Sequence, residues 1–143
     1  MVDIENLVID TISKALKAST SYANTFVTSE YIDTPSSFPC VSIFEADNSS
    51  YRKTQDNDLK DHHVHVMYEV NVYSNKTKGS KTEAKKIMDI VDTAFINIKF
   101  NRTFRNPIPN KDKTIYRIVA RYEAVIGDYQ TINGNKVYQV YRE

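Results

Sequence analysis

The feature that most constrains the fold is residues 62–98, where the spacing of apolar side chains changes from strand periodicity to helix periodicity. In residues 64–73 every second side chain is apolar: Val64, Val66, Tyr68, Val70 and Val72. This alternation predicts a half-buried β-strand. After a polar turn, apolar residues recur at helical spacing over residues 84–98. We therefore predict an amphipathic helix that packs on the apolar face of the strand.

Helix boundaries are indicated by capping residues. Ser80 and Glu83 have the spacing of a capping box, in which the hydroxyl and the carboxylate bind free amides at a helix start. Near the N-terminus, Asp3 precedes a second apolar stripe at helical spacing. We expect Asp3 to cap this first helix, and we expect the helix to end near Ser19.

The remaining segments are predicted from alternation, prolines and turn residues. They are an edge strand within residues 21–33, a loop at 34–39, a strand at 40–47, a connection at 48–61, a loop at 101–113, a long strand at 115–126 and a final strand at 136–142. A bend or bulge is expected at Gly127 and Asp128, and Asn133–Gly134 suits a type I′ hairpin turn. The fold class is therefore α+β, a mostly antiparallel sheet of five to six strands with two helices on one face, in a single domain over residues 1–143.

Charge and cysteine content exclude broad functional classes. The chain has 143 residues and a net charge of +1, from 19 basic and 18 acidic side chains. This balance gives no general reason to expect nucleic acid or an anionic membrane as a partner. With one cysteine, Cys40, no internal disulfide can form, and we expect a soluble cytosolic chain.

The candidates for catalysis are weak. His62, His63 and His65 form a histidine cluster, but no nearby cysteine or carboxylate pair completes a zinc site. Cys40 as a nucleophile would need a histidine brought close by the fold, and a buried small thiol is the more common role. We predict that the protein is not an enzyme and has no catalytic residue, no metal and no cofactor.

Two basic and aromatic segments are candidate contacts for a partner. Arg102 and Arg105 flank one aromatic side chain, and Tyr51, Arg52 and Lys53 form the other segment. Arginines hold phosphates and aromatic rings stack on bases, so nucleic acid is one interpretation. A solvated loop rim is the other, and the balanced charge favours it.

Tyrosine content and an apolar-poor connection also point to protein partners. The chain has ten tyrosines, among them Tyr138 and Tyr141 near the C-terminus. Tyrosine is common in protein interfaces, although strand propensity also explains it. Residues 48–61 are nearly free of apolar side chains, and we expect a mobile docking arm there or a loop without a role.

A resemblance to a known family follows from four runs of the sequence. Residues 37–48, 66–75, 81–88 and 114–126 resemble, in the same order, the small neck proteins of tailed bacteriophages and their prophage relatives. Among these, the chain is most similar to the tail terminators. Head-tail connector and completion proteins share much of this pattern and remain an alternative, as does a nucleic-acid-binding accessory protein.

The resemblance implies a function in particle assembly. Tail terminators have no enzymatic activity or cofactor, and they form a six-membered ring that caps the tail tube, ends tail polymerisation and joins the tail to the head. The expected partners are other copies of the chain, the tail tube protein and the head-neck connector protein, without membrane or sequence-specific nucleic acid. The expected location is the virion neck at the top of the tail, after assembly in the host cytoplasm.

Overall fold

A computed structural model describes residues 3–50 and 63–141. The elements in chain order are α1 (Glu5–Ala18), β1 (Phe26–Thr28), β2 (Cys40–Ser50), β3 (His63–Ser74), α2 (Ser80–Asn97), β4 (Asn101–Pro107), β5 (Tyr116–Ile132) and β6 (Asn135–Tyr141). The predicted α+β class is confirmed. Among the described residues, no helix is both long and apolar enough to cross a membrane.

The sheet has six strands and is antiparallel except at one edge. The order is β1-β2-β3-β5-β4, and β6 also pairs with β5. β1 lies parallel to β2, with Phe26 opposite Cys40, and every other pair is antiparallel. The first half of β5 pairs with β4 and its second half with β6. The sheet therefore ends in β1 on one side and in β4 and β6 on the other.

The two helices and one face of the sheet form the core, as the periodicity predicts. The alternating residues of β3, from Val64 to Val72, are fully buried against helix residues such as Val91 and Phe95. The Phe95 ring stacks on the Tyr122 ring of β5, with centroids 4.2 Å apart and an angle of 3° between planes. This stacking locks α2 onto the middle of the sheet, because aromatic contacts add to the energy of burying apolar area.

The prediction of a loop at residues 101–113 is wrong for its first part, because residues 101–107 form β4. This strand has no apolar alternation, since it lies at the sheet edge and both arginines on its helix-facing side bind carboxylates of α2. Ion pairs thus take the place of apolar burial on that side. The strand predicted at residues 40–47 is longer in the structure, because β2 continues to Ser50. The connection that follows is therefore shorter than predicted.

The prediction of a capping box at the start of α2 is wrong. Gly79 is the N-cap residue, with φ of 84°, and the cap has no side-chain hydrogen bond. The Glu83 carboxylate turns to β3 instead, where it accepts a hydrogen bond from the Ser74 hydroxyl at 2.8 Å and is ion-paired with Lys76 Nζ at 3.1 Å. At the start of α1, the Asp3 carboxylate does accept a bond from the Glu5 amide, at 3.0 Å, although Ile4 is the N-cap residue.

The predicted bulge and hairpin turn of the C-terminal strands are confirmed. The pairing of β5 with β6 shifts register between Ile126 and Tyr129, as expected for a bulge at Gly127 and Asp128. Asn133 and Gly134 have φ of 51° and 80°, the positive values that a type I′ turn requires. β5 therefore runs through the bulge to Ile132, in agreement with the prediction that this segment continues from the bulge to the turn at Asn133.

Candidate functional site

Arg102 and Arg105 lie on the helix-facing side of β4, where both are ion-paired. Arg102 Nη1 lies 2.9 Å from an Asp92 carboxylate oxygen, and Arg105 Nη2 lies 2.9 Å from Asp89. The same Asp92 oxygen accepts a hydrogen bond from the Tyr122 hydroxyl at 2.8 Å. These contacts hold β4 to α2 and neutralise the charges that a phosphate contact would need.

Of the other predicted contact residues, only those of β6 lie within the described part of the chain. Tyr138 of β6 packs against the core, and its hydroxyl lies 3.5 Å from the Asp3 carbonyl oxygen. Tyr141 pairs with Val125 at the other end of β6. Tyr51, Arg52 and Lys53 lie outside the described residues, as does most of the predicted docking arm at residues 48–61.

The sheet face opposite the helices, here called the open face, carries a network of paired polar side chains. Arg121 Nε binds the Glu69 carboxylate at 3.2 Å. Arg117 donates two hydrogen bonds to the Asn71 Oδ1 atom, at 2.9 and 2.7 Å, and Asn71 Nδ2 donates to Glu69 at 3.1 Å. The Arg117 guanidinium also lies 5.7 Å from the Tyr73 ring centroid. The network joins β3 to β5, so its charges stabilise the sheet itself.

One member of the histidine cluster, His65, lies near two carboxylates on the same face. His65 Nε2 lies 3.5 Å from a Glu123 carboxylate oxygen, and His65 Nδ1 lies 4.0 Å from Asp47. His62 lies outside the described residues. Within residues 3–50 and 63–141, no group of three or more His, Cys, Asp and Glu side chains could hold a metal ion. The absence of a metal stays a prediction for the whole chain.

Cys40 and Tyr73 form a small apolar cluster at one end of the open face. Burial raises the pKa of the Cys40 thiol to about 11, which disfavours the thiolate that a nucleophile needs. Burial also raises the pKa of Tyr73 to about 12, so its hydroxyl stays protonated and donates to the Ile32 carbonyl oxygen at 2.7 Å. Cys40 is therefore a packing residue, and Tyr73 anchors the segment that precedes β2.

Residues 29–33, here called the aromatic loop, follow β1 and contact open-face side chains of β2 and β3. The Tyr31 side chain is 55% exposed and contacts the Phe44 ring edge-on, with centroids 6.0 Å apart. The neighbouring carbonyl of Glu30 accepts a hydrogen bond from the buried Ser42 hydroxyl at 2.6 Å. The edge strand predicted within residues 21–33 is present as β1, but it ends at Thr28, so Tyr31 lies in a loop. An exposed aromatic between two acidic residues was the available signal.

A pocket of about 400 Å³ lies at the end of β4 and the start of β5. Two of its lining residues, Ile115 and Arg117, contact Tyr73. We call it the proline pocket. Its lining residues are Pro107, Ile108, Pro109, Asn110, Lys113, Ile115, Tyr116 and Arg117. Within the described part of the chain, the buried Asn110 Nδ2 atom has no hydrogen-bond partner. Pro107 and Pro109 fall in the loop predicted at residues 101–113, but the pocket also needs β4, which the sequence pattern does not indicate.

Exposed positive charge is concentrated at the start of α2. Lys78, Lys81, Lys85 and Lys86 are all exposed there. These lysines stand at the positive end of the helix dipole, where basic side chains are unfavourable. Among the described residues, these lysines therefore form an exposed cationic surface, whereas the two arginines of β4 are ion-paired.

Comparisons with known proteins give matches among solved structures. The chain matches no protein-family model and no curated protein sequence. Among solved structures, it is similar to a cryo-EM structure of the sheath/tube terminator of an extracellular contractile injection system, PVC, in the extended state, with 13% identity and a TM-score of 0.39. The alignment covers 90% of this chain and 58% of that protein's chain. A likeness at this level carries no argument about function, so function has to be argued from the residues themselves.

Proposed function

We propose that this protein is a tail terminator of a bacteriophage or phage-tail-like particle. In this role it is a non-enzymatic structural protein whose copies form a six-membered ring on the tail tube, end tail polymerisation and join the tail to the head. The sequence runs that resemble tail terminators, at residues 37–48, 66–75, 81–88 and 114–126, fall largely on β2, β3, α2 and β5. The resemblance thus covers the elements that build the core.

The observation that carries the proposal is the presence of two unlike open edges on one sheet. β1 ends the sheet on one side, and β4 and β6 end it on the other. A closed ring needs a head-to-tail contact between two different surfaces of the same chain, whereas a two-fold dimer uses one surface twice. The two edges supply such surfaces, and β4 carries the polar side chains that keep an unpaired edge soluble.

The chemistry of the described side chains supports a structural role. The charged groups of the open face are bound to each other, and the Cys40 thiol is buried. The proposed partners are further copies, the tail tube protein and the head-neck connector protein. Tyr51, Arg52 and Lys53 remain proposed contacts of a docking arm toward the neighbouring tail ring, and Arg102 and Arg105 act by holding β4 in place.

The test is assembly of tail tubes with and without the purified protein, observed by electron microscopy and native mass spectrometry. We expect tubes of uniform length that end in one ring when the protein is present, and overlong tubes when it is omitted. Two exposed asparagines offer a matched pair of variants. Asn106→Arg on edge strand β4 should impair ring closure, and Asn97→Arg at the end of α2 should not. The proposal would be refuted if only monomers or dimers bound to the tubes, or if tube length were the same with and without the protein.

Two alternative functions would give different results with the same purified protein. A head-tail connector or completion protein would bind isolated heads and leave tube length unchanged. A nucleic-acid-binding accessory protein is favoured by the exposed lysines at the start of α2, Lys78, Lys81, Lys85 and Lys86. It would bind duplex DNA of random sequence with an affinity that falls steeply as salt rises, because each phosphate contact releases a counterion.

A further inference from the structure

We infer that the sheet continues from one copy to the next, with residues 43–47 of β2 paired antiparallel to residues 101–105 of β4 in a neighbouring copy. This inference rests on the proposed function for its setting, a ring of identical chains. It goes further by assigning the backbone segments that meet and their register, in which Phe44 lies opposite Phe104. The partner is therefore a second copy of this chain.

Most of the outer edge of β2 has no neighbouring strand in the described part of the chain. β1 pairs only with residues 40–42, whereas β2 continues to Ser50. After Thr28 the chain leaves the edge, because the aromatic loop turns onto the open face and accepts hydrogen bonds from side chains of β2 and β3. Backbone amides and carbonyls on the outer side of residues 43–47 are thus left for a partner strand.

β4 offers a matching segment on the other edge of the sheet. Its only neighbour is β5, so the outer side of residues 101–105 is also unpaired within the described residues. β4 ends at Pro107, which has no amide hydrogen to donate. In the proposed register Pro107 would face Val41 of the next copy, where β1 already occupies the edge. The pairing therefore stops where neither strand could continue it.

Strand direction favours an antiparallel pair. Along the order β2-β3-β5-β4 every neighbouring pair is antiparallel, so β2 and β4 of one chain run in opposite directions. Copies related by rotation about an axis along the strands keep the direction of each strand. In such a ring β4 of one copy meets β2 of the next antiparallel. The contact joins two different edges, as a closed ring requires.

A bulge on each edge strand defines the register. β2 is bulged between residues 45 and 47, and β4 is bulged between residues 102 and 104. With Phe44 opposite Phe104, residues 45–47 lie opposite residues 101–103, so the two bulges are side by side. Bulged strands bend and twist more than regular ones, so they pair best where their irregularities coincide. A shift by one residue would place opposite side chains on different faces of the sheet.

On the open face this register brings two aromatic side chains together. Phe44 and Phe104 both lie on that face, opposite Glu69 and Arg121 of their own sheets, and both are half-buried in the single chain. Phe44 contacts the Tyr31 ring edge-on, and Phe104 lies 5.4 Å from the Arg121 guanidinium. Aromatic pairs across neighbouring strands stabilise antiparallel sheets, and this pair would remove the exposed part of both rings from water.

On the helix-facing side the register places Glu45 beside Arg102. Glu45 Oε1 accepts hydrogen bonds from Asn48 at 3.0 Å and from Tyr68 at 3.4 Å, while Oε2 has no donor among the described residues. Arg102 binds Asp92 through Nη1, and its side chain remains 44% exposed. A guanidinium has further N–H donors for a second carboxylate. Opposite charges here favour this pair of edges over two copies of the same edge.

Disulfide trapping tests the register directly. Asp47 and Asn101 are exposed and would lie opposite each other, with Cα atoms about 5 Å apart, which suits a disulfide. Mild oxidation of Asp47→Cys with Asn101→Cys should give a ladder of cross-linked species beyond the dimer, and each single variant should give none beyond the dimer. The matched control, Asp47→Cys with Asn106→Cys, moves the second cysteine about 17 Å along β4 and should give no ladder. Equal ladders in both double variants would overturn the register. Background from Cys40 is low because that side chain is buried.

Amide hydrogen exchange tests the backbone pairing without cysteine variants. In the dilute free protein, the outward amides of residues 43–47 and 101–105 should exchange quickly, because they have no acceptor in the described part of the chain. In rings bound to tubes their exchange should slow by at least about tenfold, since both segments become interior strands. Exchange that stays equally fast in both segments on capped tubes would contradict the inference.

The tube assay separates failure of the contact from failure of the proposed function. If tubes are capped but neither the ladder nor the protection appears, the strand pairing is wrong and the function stands. If the ladder and the protection form in the concentrated free protein while tubes remain uncapped, the pairing is real and the proposed function is wrong.

Discussion

The hydrogen bond between Ser74 and Glu83 gives the sharpest test of how α2 is attached to the sheet. Ser74 is fully buried, and its hydroxyl donates to the Glu83 carboxylate at 2.8 Å. Ser74→Ala removes this donor while the carboxylate stays buried, with Lys76 as its other partner. A hydrogen bond to a charged group contributes about 2 kcal/mol, and we expect the free energy of unfolding to fall by about that amount. For a chain of this length 1 kcal/mol corresponds to about 3 °C, so the melting temperature should fall by about 6 °C.

Ser80→Ala is the matched control for this prediction. A capping box would make Ser80 worth about 1 kcal/mol, but the cap of α2 has no side-chain hydrogen bond in the structure. We therefore expect urea denaturation to show a change near zero for Ser80→Ala and a clear loss for Ser74→Ala. Glu83→Gln combined with Ser74→Ala should cost less than the sum of the single changes, because the two side chains share one interaction. Equal losses at Ser74 and Ser80 would refute the structural account.

Three further predictions concern the core, the thiol and the arginines. Phe95→Ala should lower the free energy of unfolding by about 3 to 5 kcal/mol in urea denaturation, since the ring is fully buried and stacks on Tyr122. Because the Cys40 pKa is raised to about 11, about one thiol in a thousand is ionised at pH 8, and a thiol-reactive dye should label the protein quickly in urea but not when folded. Fast labelling of the folded protein would contradict this. Arg102→Gln with Arg105→Gln should lower the melting temperature by a few degrees at most, because the pairs are partly exposed, and should leave the salt dependence of any DNA binding unchanged in a fluorescence titration.

Much of the fold could be predicted because its central elements bury one face each. The alternation over residues 64–72 and the helical spacing over residues 84–98 both report directly on the core, where the apolar side chains are buried. The turn at Asn133 was equally accessible, since its conformation depends on two adjacent residues. In these cases the physical cause lies within a short stretch of sequence.

β4 and the helix cap could not be predicted because their causes lie in other elements. The position of Arg102 on β4 is explained by its hydrogen bond to Asp92, which lies ten residues earlier on α2. Glu83 is explained by Ser74, nine residues earlier on β3. From the local sequence alone, Arg102 is compatible with a loop and Glu83 with a helix cap. Tertiary hydrogen bonds to charged groups outweigh those local preferences.

The side chains that already have hydrogen-bond or ion-pair partners indicate where an interaction surface is unfavourable. On the open face, Glu69, Asn71 and Arg117 are bound to one another, so a partner placed there would have to break pairs before forming new ones. At the margins of the sheet the situation differs, because the edge strands β1 and β4 each pair with one neighbouring strand only and leave backbone groups on the other side for a partner. Contact at the margins adds interactions without this loss. Under the proposed function, we therefore expect copies to meet through their sheet edges and not through the open face.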